Sequence, residues 1–499
     1  MRGFGLDWLG RRARLSPDAV ALVFEGRATR YAAWNARVNR TARALARRGV
    51  GAGDVVAVLA ANHPTWLDVW FACGKLGAVL QALNWRLPQA SLATLVDRAK
   101  PKLGLHDDAH AQVELPVGRR LSFDELEAER VEEAESDPDV APPPLEAPWV
   151  LCFTGGTTGL PKAAILTHGN VLWNAMGTAA SWGLHPRAKA LLNAPLFHTG
   201  GMNVLTAPLV WVGGTSVLSR GFDVDETFDA VESGVTHFFG VPTMFQRLQA
   251  SPRFDTFDAS GLELVISGGA PCPAPVFERF FARELPFKTG YGLTEAGPNN
   301  FWLPDAQVQR KVGSVGYPLL HVEARRVDEA GRVLTAPGEV GELHLRGPHV
   351  TPGYHGQPEA TAAALDPDGW LRTGDLCLAD EDGCYRIVGR KKEMFISGGE
   401  NVYPAEVESV LHGHPDVVEA AVVGVPDPQW GEVGRAYLVS GRPLERGELS
   451  TWLRARLAGF QCPKTMVFLD ELPKTGAGKV DKRRLVQDYP ASDPSASDG

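Results

Sequence analysis

The chain lacks paired cysteines. Its six, Cys73, Cys152, Cys272, Cys377, Cys384 and Cys462, are scattered over 499 residues with no CxxC spacing and no histidine at zinc-ligand distance. That excludes a disulfide scaffold and a zinc ribbon, and predicts reduced thiols used as small buried apolar side chains. A basic excess is also missing. The formal net charge is −9, which leaves no electrostatic footprint for sequence-blind binding to nucleic acid. Long apolar runs are absent as well. The longest, Val204 to Leu218, is broken by Pro208 and by Gly213-Gly214, short of the roughly 20 residues a bilayer span needs. The basic opening MRGFGLDWLGRRARLSP has no apolar core of the secretory kind. No segment repeats at a fixed period. These absences predict a soluble, cytoplasmic protein with no integral membrane segment and no nucleic-acid partner.

What is present is an ordinary globular composition, 44% apolar and 22% charged, in a chain too long for one hydrophobic core. DVVAVLA (54–60) reads as a buried strand and TWLDVWFACGKLGAVLQAL (65–83) as a helix packed on it. WVLCFTG, KALLNAPL, GGTSVLS, THFFGVP and LELVISGG continue the strand series with helical stretches between several of them, the pattern of βαβ units around a parallel or mixed sheet. Nine acidic residues between Asp124 and Asp139, followed by APPPLEAP, read as an exposed, solvated connector. From about Lys311 short strands with turn signals predict an antiparallel β-subdomain, and after Gly389 a compact α+β pattern of about 100 residues follows. The fold class expected is therefore α/β, with a large N-terminal domain of αβα layers plus a β-subdomain over 1–388. A hinge region at 389–391, a small α+β domain over 392–488 and a disordered tail at 489–499 complete the chain.

VLCFTGGTTGLPKA (150–163) carries the clearest chemistry. Gly155, Gly156 and Gly159 let a backbone turn tightly and aim its N–H groups inward, as phosphate cradles do. Thr154, Thr157 and Thr158 add hydroxyls and Lys162 a mobile positive charge. A hairpin turn is the plain alternative. The loop is not a Walker motif, because Lys162 follows Pro161 and no hydroxyl comes after it. Gly478-Lys479 is followed by Val480 and fails in the same way.

FTGGTTGLPKA resembles the phosphate loop of the adenylate-forming superfamily, which holds acyl-CoA synthetases, peptide-synthetase adenylation domains and luciferases. Further segments agree in order and approximate spacing over 150–483. In VISGGAPCP, Gly269, Ala270 and Pro271 form a turn too small to block a flat ligand, and the resemblance lays it along the adenine. A tight strand-to-helix turn is the alternative there. In GYGLTEAG, bracketed by Gly290, Gly292 and Gly297, Tyr291 can stack on a purine, Thr294 can donate to a phosphate and Glu295 can ligate Mg²⁺. The resemblance assigns those same roles.

WLRTGDL supplies Asp375 for the ribose hydroxyls, with an Asx-turn cap as the alternative. In GRKKEMFISGGENVYPAEVE the resemblance implies that Arg390 reaches the ribose. It makes Lys392 the hinge, and Ser397, Gly398 and Gly399 the wall of a narrow pantetheine channel. It makes Lys479 of LPKTGAGKVDKRRL the catalytic lysine, and it puts Trp430 of PDPQWGE near the CoA nucleotide. A lysine serves where negative charge develops on a transferring phosphoryl group. Two departures stand out: Gly155 where the family commonly has serine, and Ala163 where it commonly has glycine.

In LFHTGGMNVL the resemblance puts His198 beside the acyl pocket, with a satisfied core histidine as the alternative. No aspartate lies there to pair an α-amino group, which disfavours an amino acid substrate. Phe238, Phe239, Gly240, Val241, Gly292 and Gly297 are further pocket candidates, apolar or small, and suit a fatty acyl chain or a flat aryl acid. The function expected is ATP- and Mg²⁺-dependent activation of a carboxylic acid as its acyl-AMP, then transfer to CoA as co-substrate. The first choice of acid is a medium- or long-chain fatty acid. An aryl-acid–CoA ligase, an acyl-AMP ligase loading a carrier protein and a non-catalytic nucleotide-binding protein are the rivals. A homodimer is left open.

Overall fold

A computed structural model describes residues 5–154, 161–474 and 480–490. The N-terminal part is built on two sheets. One runs in the order 287–289, 264–267, 237–240, 189–192, 215–218, 20–24, 27–30, parallel except for the hairpin that closes its last pair. The other runs 120–122, 103–106, 55–59, 79–82, 148–154, 162–167, parallel except for its last pair. Between them lies a shared helical layer, Tyr31–Arg47, Pro64–Leu76, His168–Ser181 and Ala207–Val212. Its apolar faces join both sheets in one core centred on the fully buried Trp34, Trp66, Trp70 and Trp149. Helices also cover the outer face of each sheet, so both sheets are buried on two sides. That is why their strands read as continuous apolar runs rather than as alternation.

The segment expected as one helix over 65–83 divides. The helix ends at Leu76, Gly77 takes φ 69° as its left-handed cap, and Val79–Ala82 turns into a parallel strand beside Val55–Leu59. The acidic connector is also more structured than its charge suggests. Ser122 and Glu125 form a capping box that starts the helix Phe123–Val131. The arginines of Tyr31–Arg47 and its cap then pair with it: Arg40 with Glu135, Arg47 with Glu133, Arg48 with Glu129. Beneath them Asp68, fully buried, takes Arg37 at 2.8 Å and Arg130 at 2.7 Å. Burial alone would raise the Asp68 carboxyl, but the two guanidiniums hold it below the usual range.

A five-stranded antiparallel sheet follows, in the order 333–334, 323–327, 341–346, 371–379, 385–390. The C-terminal domain has the antiparallel order 400–402, 395–397, 431–440, 417–427, with 465–468 parallel to 431–440. Pro404–His412 and Arg446–Arg454 pack on it around Val407, Leu411, Leu449 and Leu453. No helix among the described residues is long and apolar enough to cross a membrane.

Candidate active site

The site residues gather where parallel strands end. Thr154 closes strand Pro148–Thr154, Gly240 closes His237–Gly240, Ser267 precedes Gly268-Gly269, and Thr289 precedes Gly290-Tyr291. Carboxyl ends of parallel strands are the general binding edge of open α/β sheets. Lys162 stands opposite Thr154 in an antiparallel hairpin, so the intervening loop begins and ends at that edge. Gly155, Gly156, Thr157, Thr158 and Gly159 of that loop lie outside the described residues, as does Lys479.

Asp375 and Arg390 are direct cross-strand partners, and Arg390 Nε lies 2.7 Å from Asp375 Oδ1. The Tyr291 hydroxyl donates to Asp375 Oδ2 at 2.6 Å. Asp375 N donates to Thr373 Oγ1, and that hydroxyl donates to Leu343 O. A buried carboxylate thus receives Arg390 on one oxygen and Tyr291 on the other, while its backbone is held by Thr373. Burial and the neighbouring Asp375 charge drive the Tyr291 hydroxyl well above its ordinary range, so it stays a donor. The aromatic ring expected to meet a base and the carboxylate expected to meet a ribose form one rigid unit.

Thr294, Glu295 and Ala296 make a short 3₁₀ turn. The turn is anchored by Thr351 N, which donates to Glu295 O at 2.7 Å. The Tyr354 hydroxyl donates to Glu295 Oε1 at 2.8 Å, and Lys162 Nζ stands 4.9 Å over the Tyr354 ring. Among the described residues nothing donates to Glu295 Oε2. One carboxylate oxygen left without a donor fits Mg²⁺, which binds through one or two carboxylates plus substrate phosphates. Tyr354 is the residue that sequence reasoning passed over; its only signal is the turn TPGYHG. Two backbone bonds clip that turn to the loop-bearing hairpin, Ile165 N to Gly353 O and His355 N to Ala163 O.

Gly292 is forced. A Cβ there would lie 2.2 Å from the carbonyl carbon of Pro298. His198 caps a helical turn, its Nδ1 accepting from Gly200 N at 3.3 Å. The Phe239 ring fills the space between Gly200 and Gly268, where added Cβ atoms would stand 3.5 Å and 2.9 Å from it. Gly297 faces Asn174, and Gly269-Ala270-Pro271 lies exposed at the end of its strand. Cys152, packed by Thr294, is no nucleophile, because burial pushes its thiol up to about 12.

A second group forms inside the C-terminal domain. Ser397 is buried, Gly398 N donates to Trp430 O at 2.9 Å, and Gly398 at φ 61° leaves only 2.7 Å between an added Cβ and the Trp430 ring. Gly399 is open, and the indole of Trp430 is 41% exposed with Lys464 Nζ at 5.7 Å. Lys392 stands on the surface between strand 385–390 and this domain, at a turn closed by Glu393 N and Met394 N donating to Arg390 O.

Comparison with known proteins matches residues 9–355 to the "AMP-binding enzyme" family and residues 406–479 to the "AMP-binding enzyme C-terminal domain". The chain is 43% identical to feruloyl-CoA synthase of an Amycolatopsis species over 488 residues, covering 97% of this chain and 98% of that protein. It is 38% identical to indoleacetate–CoA ligase of Aromatoleum aromaticum over 502 residues, covering 96% and 98%. Among solved structures, o-succinylbenzoate coenzyme A synthetase from Bacillus subtilis, in complex with ATP and magnesium ion, superposes with a TM-score of 0.87 at 32% identity, covering 96% of this chain and 99% of that one.

Proposed function

Because the chain belongs to the AMP-binding enzyme family, and within it to the AMP-forming acyl-CoA synthetases, we propose that the acid it joins to CoA is an aryl acid. The expectation of a fatty acid is less well backed. Feruloyl-CoA synthase, indoleacetate–CoA ligase and o-succinylbenzoate synthetase are all named for aryl acids, and the chain matches each over nearly its whole length. The single observation that carries the reading is the 43% identity to a feruloyl-CoA synthase, end to end. The half-buried Phe239 ring, set between Gly200 and Gly268, supports it as an aromatic side chain at the acyl-pocket position that could pack against another ring.

In the proposed sequence, Tyr291 stacks on the adenine and Asp375 with Arg390 receives the ribose hydroxyls. The loop 154–159, Lys162 and Thr294 hold the triphosphate. Glu295 holds Mg²⁺, which when bound neutralises charge on the phosphate oxygens. The substrate carboxylate, oriented beside His198, attacks the α-phosphorus; the P–O bond to pyrophosphate breaks and the acyl-AMP remains. Lys479 meets the charge that develops between carboxylate and α-phosphate. Rotation at Lys392 then withdraws Lys479 and brings up Ser397, Gly398, Gly399 and Trp430 with the CoA thiol. The thiol adds to the acyl carbon, loses its proton and expels AMP.

The test is acid-dependent pyrophosphate release across hydroxycinnamic, arylacetic and benzoic acids and straight-chain fatty acids, with and without CoA. Aryl acids should give the highest kcat/KM, and CoA should yield the thioester. Higher kcat/KM for the alkyl acids, or acyl-AMP that CoA never captures, would replace this reading with one of its rivals.

A further inference from the structure

The chain is fastened at both Lys474 and Val480, on either side of residues 475–479. Lys474 and Val480 form an antiparallel bridge at the base of the segment, and Lys474 Nζ pairs with Glu419 at 2.7 Å. Just beyond, Asp481 N donates to Pro473 O at 2.7 Å, and the helix Lys482–Asp488 begins. Leu485 sinks that helix into the apolar core of the domain. Lys482, the first residue of the helix, does something else. Its ammonium lies 2.9 Å from Glu393 Oε2 and 2.7 Å from Glu408 Oε1. Glu408 belongs to the helix Pro404–His412 and its Oε1 also accepts from Val422 N, so that carboxylate is fixed by the sheet. Glu393 is the residue directly after Lys392, in the turn closed on Arg390 O.

We propose that Lys482 is a positioning residue for the adenylation half-reaction. By tying the start of its helix both to the sheet and to the first residue past the hinge, it fixes the point and direction from which residues 475–479 reach the nucleotide. The inference rests on the reading of Lys479 as the lysine that meets the carboxylate and the α-phosphate. Only two residues separate Lys479 from Lys482, so a shift of the helix start passes to Lys479 with little slack. The tie is largely buried, with Lys482 22% and Glu408 17% exposed, so its loss costs stability, but a general loss of stability would weaken both half-reactions alike. The tie's own effect should therefore appear in aim, where an ångström-scale misplacement costs as much as about 100-fold.

The experiment compares wild type, Lys482→Met, Lys482→Arg, Lys479→Ala and the Lys479→Ala/Lys482→Met pair. Two readouts are taken: acid-dependent ATP–pyrophosphate exchange, and thioester formation from supplied acyl-AMP and CoA. Lys482→Met should lower kcat of exchange about tenfold to 100-fold with KM for ATP little changed, and leave thioester formation unaltered. Lys482→Arg should restore most of the loss. Adding Lys482→Met to Lys479→Ala should cost nothing more, because the first residue acts through the second. Equal losses in both half-reactions, no loss at all, or a full further loss in the double variant would each overturn the proposal. Should Lys482→Met fail to fold, Glu408→Gln keeps the shape and must give the same split. Lys479→Ala serves as the separate control: if it leaves exchange intact, the reading of Lys479 itself fails, whereas its collapse beside an unaffected Lys482→Met defeats only the present inference.

Discussion

Replacing Tyr354 by phenylalanine isolates one hydrogen bond at the centre of the site. The hydroxyl donates to Glu295 Oε1 at 2.8 Å from a side chain that is 9% exposed. Burial, reinforced by the Glu295 charge, keeps that hydroxyl protonated at every working pH, so the bond is always O–H to carboxylate. A hydrogen bond to a charged group contributes about 1.5–3 kcal/mol. Glu295 is only half-buried, so once released it regains part of that from water, which puts the expected loss near the lower end. About 1.5 kcal/mol is roughly a tenfold change in an equilibrium constant. The aromatic face under Lys162 survives in phenylalanine, as do the backbone bonds that clip this turn to the hairpin.

The loss should therefore appear in metal-dependent binding alone. Calorimetric titration should show the Kd for MgATP rising about tenfold, while Mg-free ATP binds nearly as before. Equal weakening of both titrations would mean that Tyr354 shapes the pocket rather than aligning the Mg²⁺ ligand. An unchanged MgATP affinity would remove Glu295 from the metal site.

Gly292→Ala should abolish adenylation and lower Tm sharply, since the new methyl group meets backbone at 2.2 Å rather than a side chain that can swing away; a fully active, equally stable variant would show that the 290–298 turn relaxes freely. Asp375→Asn should weaken ATP binding about tenfold or more through loss of the charge that Arg390 and a ribose share, read as ATP affinity with the acid affinity unchanged. Burial depresses His168 and His349 to about 3, and His237 and His321 to about 4. Folded-state values below the unfolded one mean that the unfolded chain takes up protons first, so stability is full above pH 6.5 and falls as pH drops toward 4. For the nearly fully buried His168, His237 and His349 the cost is about 1.4 kcal/mol each between pH 7.5 and 5.5, and His349→Phe should flatten the fall of Tm with pH by one such step.

The candidate site could be named from the sequence because its residues fall in local motifs whose chemistry is written in adjacent positions. GYGLTEAG follows directly on the end of a strand, as its order of strand and turn implies, whereas WLRTGDL, expected to end a strand at Asp375, lies inside the strand 371–379. What the sequence hid is what depends on contacts between distant segments. Tyr354 touches Glu295 across 59 positions, and a lone tyrosine in a turn carries no sign of that. Asp375 and Arg390 could be named separately, but that they are cross-strand partners follows only from the register of two antiparallel strands. The acidic stretch 124–139 misled for the same reason. Its charge reads as solvated until the arginine-bearing face of Tyr31–Arg47 is folded against it. Helix and strand were confused at 65–83 because a run buried on all sides has no period to read, and only Gly77 marks the break.

The choice between alkyl and aryl acids was illegible for a different reason. Hydrophobic burial is non-directional and counts area, so a lining of phenylalanine, valine and glycine accepts a methylene chain and a ring with similar free energy. What separates them is shape: a ring needs a slot wide in one dimension and closed in the other. Composition cannot encode that, but placement can. Phe239 stands between two backbone segments, at Gly200 and Gly268, and a side chain at Gly268 would press into the ring. On the proposed reading, substrate class would be set by where side chains are missing around this one aromatic ring. Gly268→Ala should accordingly shift Phe239 and lower kcat/KM for aryl acids, with a smaller loss for slender alkyl acids. If both classes fall alike, the slot is not what selects the acid.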